Sequence, residues 1–197
     1  VDLRPVRTKR LRNDSHTLGY LRITQFSESV PKKVDEALQE LKEKEVEGLI
    51  LDLRNNSGGL VSSGIAVANS LLSERPVVET KNRNGIKDAI ISEKETSFDG
   101  PMVTLVNKGT ASASEILAGS LQDNGRSILM GEKTYGKGLI QSLKSLGEES
   151  GIAITVASYL TPKGNNIQGQ GMTPDKLLDL PDTSEYGSCL LYTSPSP

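Results

Sequence analysis

Cysteine occurs once in the 197 residues, at Cys189, and histidine once, at His16. A single cysteine excludes a disulfide within the chain and any cysteine-rich metal site. A Ser-His-Asp hydrolase or a zinc site would have to use the one imidazole. That imidazole lies in the polar run RNDSHTLGY, where a solvated side chain is expected. Acid–base chemistry is therefore left to Lys, Asp, Glu or Tyr. No uninterrupted apolar run approaches the roughly 20 residues that span a bilayer. The opening VDLRPVRTKRLRND has no apolar block of the kind a signal peptide carries, so it gives no targeting information. The 23 basic and 25 acidic side chains are interspersed and leave a formal charge of -2, so no electrostatic grip on nucleic acid or on an acidic membrane is indicated.

What is present is a strand–helix alternation. LGYLRITQF from Leu18 reads as a strand. Residues Val30 to Val46 place Val34, Ala37, Leu38 and Leu41 on one helical face, opposite Lys32, Lys33, Glu36, Glu40 and Lys44. GLILDLR, from Gly48 to Arg54, is a continuous apolar run ending in charge, as in a strand covered on both faces of a parallel sheet. NNSGGL then leads into a second helix pattern, LVSSGIAVANSLL. VVETK and IKDAII flank Asn84-Gly85, a hairpin signal. PMVTLVN is the next strand, and ASASEILAGSLQDNG is a helix with Gly125 at its C-terminal cap. SILM and GIAITVASYL follow as strands. The pattern predicts an α/β fold built from βαβ units, with no internal repeat.

Three segments could carry chemistry. GEKTYGKGLIQS, from Gly131 to Ser142, nearly spells the phosphate loop G-x-x-x-x-G-K-[ST], but Gly138 replaces the hydroxyl that would hold magnesium, and no later strand ends in an acid. The nucleotide reading is therefore remote. GTASASEILAG puts Ser112 and Ser114 at a strand-to-helix junction. A serine there caps free amides, and Glu115 favours the same end of the helix dipole. It can also project as a nucleophile beside amides that stabilise an oxyanion. Bringing a lysine from about 10.4 to near 7, where it can act as a base, takes about 4 kcal/mol, which desolvation can supply. Lys137 is suited to that role, framed by Gly136 and Gly138 and with no adjacent acid. Residues four apart on a strand point the same way, which would bring Gln141 to Lys137. NNSGGL is either a plain glycine turn or a turn whose amides face a site at the C-terminal edge of the sheet.

LILDLRNNSGGL, VNKGTASASEILAGSLQD and GEKTYGKGLIQS, in this order, resemble the carboxyl-terminal processing (tail-specific) serine proteases, from about Leu18 to Asp175. Overall similarity is greatest to the cyanobacterial and chloroplast variety that trims a photosystem II reaction-centre precursor. The resemblance implies an α/β fold of the ClpP/crotonase type, with a mixed, largely parallel sheet and flanking helices. It implies a Ser-Lys dyad of Ser112 as nucleophile and Lys137 as base, oriented by Gln141. The oxyanion hole would be the amides of Ala113 and Gly58, with Gly59 as the second choice. It further implies protein or peptide C-termini as substrates, no metal or nucleotide cofactor, no nucleic acid partner, and a location outside the cytoplasm, in the periplasm or thylakoid lumen. Residues 1–16 would be the remnant of a preceding PDZ region, 17–181 the catalytic core, and 182–197 an irregular tail, disordered or foreign to the fold. A chain that begins at Val1 with the PDZ domain missing is expected to be a fragment or a mature form. The competing expectation is an idle core acting as a binding or regulatory module, in which Ser112 only caps its helix.

Overall fold

The computed structural model describes residues 4–178 apart from 13–14, 86, 94 and 148–149, so the expected tail at 182–197 lies outside the described residues. The elements run β1 (Val6–Arg12), β2 (Thr17–Ile23), α1 (Val30–Glu43), β3 (Gly48–Asp52), α2 (Val61–Leu71), β4 (Pro76–Asn82), β5 (Lys87–Ile91), β6 (Met102–Val106), α3 (Ala113–Asp123), β7 (Ile128–Gly131), β8 (Leu139–Ser145), β9 (Gly151–Leu160) and β10 (Lys176–Leu177). A six-stranded sheet has the order β1-β2-β3-β6-β7-β10, and a four-stranded sheet the order β5-β4-β9-β8. In the first, β1 is antiparallel to β2 and every other pairing is parallel. The second is antiparallel throughout. The expected α/β class with a mixed, largely parallel sheet is thus the observed one.

The local reasons are visible in the sequence. Alternation in TLGYLRI buries Leu21 and Ile23 on one side of β2, and helix α1 covers them with Val30, Val34, Ala37, Leu38 and Leu41. Helix α1 starts at Val30 with Pro31 in its first turn, where a missing amide is harmless. Gly125 ends α3 at φ 65°. Its amide bonds Gln122 O and the Arg126 amide bonds Leu121 O, the paired contacts of a Schellman cap. Asn84-Gly85 turns β4 into β5 as expected. Residues 6–12, expected to be left over from a preceding region, pair along their whole length with β2 as the edge of the same sheet.

Helices α2 and α3 pack on one another, and their contact merges with the strand side chains Leu49, Leu51, Val106 and Leu129 in one core. Strands β3, β6 and β7 are neighbours and parallel, so the segments that follow them emerge side by side at one edge. Those segments are NNSGGL, NKGTASAS and GEKTYGKG. The C-terminal edge of a parallel sheet is where α/β folds assemble ligand sites.

Candidate active site

The turns after β3 and β6 are locked together by side chains. Asn55 N–H donates to Asn107 Oδ1 and Asn107 Nδ2 to Asn55 Oδ1, each at 2.9 Å. The Thr110 hydroxyl donates to Leu53 O at 2.9 Å. Buried Asn56 reaches two other segments: its Nδ2 donates to Ile23 O, and its carbonyl accepts from Ala111 N–H and from the Ser114 hydroxyl. That last bond separates the two serines. Ser114 is fully buried and its hydroxyl is committed to a backbone carbonyl. Ser112 is half-buried at the N-cap of α3, with φ 58° and ψ -120°. A non-glycine residue in such a conformation persists only where its surroundings hold it, and this strain recurs at functional positions.

What holds Ser112 is Glu115, fully buried in the first turn of α3. Its Oε2 accepts from Ser112 N–H and Lys137 N–H, both at 2.9 Å. Its Oε1 accepts from Gly136 N–H at 2.7 Å and from the Thr134 hydroxyl at 2.5 Å. The Tyr159 hydroxyl, from the buried end of β9, donates toward Ser112 O at 3.1 Å and toward Lys137 O. Burial first, and then the neighbouring Glu115 charge, push the Tyr159 phenol well above its usual range, so it remains a proton donor. Gly138 N–H donates to Gln168 Oε1 at 2.8 Å. Glycine is required at 136 because a Cβ there would lie 2.6 Å from Gly171 N, with φ 92°. The segment runs into a strand, and its amides at 136 and 137 face a carboxylate. It does not fold as a phosphate loop, which needs a following helix and free amides.

The Lys137 side chain is exposed, and no hydrogen bond joins it to Ser112 or to Gln141. The desolvation expected from the glycine frame is therefore not supplied in this arrangement. Lys137 lies two residues ahead of β8, so the four-residue spacing to Gln141, itself exposed, spans the end of the strand rather than its interior. Gly58 backs directly onto the turn that carries Ser112: a Cβ on it would lie 2.8 Å from Ser112 Cβ and 3.1 Å from Ala113 N. Its amide donates to Asn56 Oδ1 at 3.0 Å, so it serves an oxyanion only by sharing or leaving that acceptor. The Ala113 amide opens α3, where helical N–H groups have no partner within the helix. Gly59, at φ 137°, presses on Phe26, whose carbonyl oxygen would be 2.1 Å from an added Cβ. His16 is exposed and lies 2.8 Å from Glu47, far from this edge in the fold's layout, on the loop before β2. Among the described residues no three His, Cys, Asp or Glu side chains are grouped to hold a metal ion, and no helix is long and apolar enough to cross a membrane.

Sequence reasoning read Glu115 only as a dipole partner and gave Tyr159 no role. It also missed the support beneath the Gly58 turn. Asp52, buried at the end of β3, accepts from Tyr20 at 2.6 Å and from Arg54 at 2.8 and 2.9 Å, with Arg22 at 3.3 Å. Burial raises the Asp52 carboxyl, but the Arg54 and Tyr20 hydrogen bonds outweigh it and hold it below the usual range. The signal available was the pairing of Tyr20-x-Arg22 on one strand with Asp52-x-Arg54 at the end of the next.

The sequence pattern of peptidase family S41 matches residues 17–178. A carboxyl-terminal-processing protease of Synechocystis is 51% identical over 84% of this chain and 39% of its own length. A chloroplastic C-terminal processing peptidase of Tetradesmus obliquus is 46% identical over 82% of this chain and 35% of its own. The chain thus spans about two fifths of the length of these curated relatives. Among solved structures, a photosystem II D1 C-terminal processing protease superposes with a TM-score of 0.83 at 39% identity, covering 91% of this chain and 49% of that one. A Streptococcus agalactiae lipoprotein, with TM-score 0.71 at 22% identity, shares the fold.

Proposed function

Because the chain belongs to peptidase family S41, we propose that it is the catalytic core of a serine endopeptidase that cleaves near the C-termini of protein substrates by a Ser112–Lys137 dyad. The observation that carries this reading is the contact of the NNSGGL turn with the strained Ser112–Ala113 backbone at the helix N-terminus, beside the Lys137 segment. Ser112 Oγ attacks the scissile carbonyl. Neutral Lys137 takes the hydroxyl proton and passes it to the leaving amine, and Gln141 aims the lysine once substrate is bound. The amides of Ala113 and Gly58 receive the oxyanion. A substrate lying over the exposed Lys137 removes it from water, which disfavours its charged form. By family resemblance we place it outside the cytoplasm, in the periplasm or thylakoid lumen; one relative is named as chloroplastic.

The exposed Lys137, unbonded to Ser112, favours a second reading, an idle core that binds C-termini without cutting them. Peptides with different C-termini, incubated with the chain and with Ser112→Ala and Lys137→Ala, separate the two. Cleavage by the unaltered chain is expected to fall by at least about 10⁴-fold in Ser112→Ala with the fold intact, and Lys137→Ala should do likewise. Full activity in either variant rejects the dyad, and binding without cleavage by the unaltered chain selects the idle core.

A further inference from the structure

Glu115 is a carboxylate with no exposure to solvent and, among the described residues, no cationic partner within ion-pair distance. A buried charge is costly unless every lone pair is used. Here four neutral donors use them, and three are main-chain amides of the two segments that carry Ser112 and Lys137. Oε2 alone joins the amides of those two residues. The single Tyr159 hydroxyl lies against the carbonyl oxygens of the same two residues. Ser112 and Lys137 come from loops after different strands, and no hydrogen bond links their side chains. The Tyr135 N–H also ties the two loops by donating to Thr110 O at 3.0 Å, but at Ser112 and Lys137 themselves the link is made by these two groups.

We propose that Glu115 and Tyr159 are the positioning residues of the site: they yoke Ser112 to Lys137, holding both amides on one carboxylate oxygen and sharing the phenol's one proton between both carbonyls. A helix cap would need only the Ser112 amide. The further bonds to Thr134, Gly136 and Lys137 have no capping purpose and run entirely to the segment that carries the lysine. The phenol completes the yoke and keeps Ser112 in its strained conformation by engaging its carbonyl. The carboxylate acts on the backbone and touches neither reacting atom.

The inference rests on the Ser112–Lys137 reading, and the test separates the two. The rate at which a fluorophosphonate probe labels Ser112 is measured for the unaltered chain, Ser112→Ala, Tyr159→Phe and Glu115→Gln, with peptide kcat and KM and the thermal midpoint alongside. Tyr159→Phe removes one oxygen from a ring that stays packed. It is expected to slow labelling and lower kcat by about tenfold to a hundredfold, the cost of a small misplacement of reacting groups, with KM little changed. Glu115→Gln turns an amide nitrogen toward bound N–H groups and is expected to lose more. Should it fail to fold, Tyr159→Phe alone decides. Labelling of Tyr159→Phe at the unaltered rate, or a loss confined to KM, overturns the yoke while leaving the dyad standing. No labelling of Ser112 in the unaltered chain overturns the dyad and the yoke together.

Discussion

Four of the five residues of β3 are buried, whereas the first six of β9 are all exposed. β3 lies inside the parallel sheet between β2 and β6, and its residues 48–51 are apolar up to Asp52. The antiparallel sheet carries its β8–β9 hairpin outward, with Ile152, Ile154 and Val156 at 38–44% exposure. Ser112 grows from the loop of a buried strand and Lys137 from the loop that opens the exposed sheet. Core packing can therefore fix Ser112, but it does little for Lys137. That asymmetry is the setting for the carboxylate and phenol proposed to position the two residues at the junction of the regions.

The contrast can be broken by substitution. Leu51→Ala in β3 empties a fully buried site and should cost about 2–5 kcal/mol in urea unfolding; a cost below 1 would mean the parallel sheet is less tightly packed than its burial indicates. Lowering pH should come next. The folded Asp52 carboxyl lies below its ordinary 3.8, so the unfolded chain takes up that proton first. Its contribution is complete above the ordinary value and is lost as pH falls through the lower folded one. Arg54→Ala should flatten that acid limb, and an unchanged limb would remove Asp52 from the account. The smallest effect belongs to Ile152→Thr on the exposed hairpin, expected to change stability by no more than about 0.5 kcal/mol. A loss comparable to that of Leu51→Ala would show that the antiparallel face is covered in solution.

Much of this was legible beforehand, for identifiable reasons. The stripe Val34, Ala37, Leu38, Leu41 and the run Gly48–Arg54 report burial by their periods, and both elements start where expected but end earlier, at Glu43 and Asp52. Asn84-Gly85 and Gly125 report backbone conformation, because few residues accept positive φ. Ser112 was legible as a strand-to-helix serine beside a glycine turn. Glu115 was not, because its type and position are those of an ordinary helix cap; its bonds to Thr134, Gly136 and Lys137 join residues about twenty positions apart. Tyr159, at the end of an apolar strand, looks like any core aromatic until its hydroxyl is placed.

The sequence by itself determined the class of fold, the serine at the helix N-terminus and the family, since these follow from local period, turn chemistry and contiguous motifs. Only the tertiary structure decided that Ser114 is structural, that the Gly58 amide is engaged by Asn56, that Lys137 stands in solvent, and that one carboxylate oxygen joins Ser112 to Lys137. The physical reason is directional. Hydrogen bonds depend on ångström-scale placement of groups from different strands, and the register of β3, β6 and β7 exists only once the core has formed.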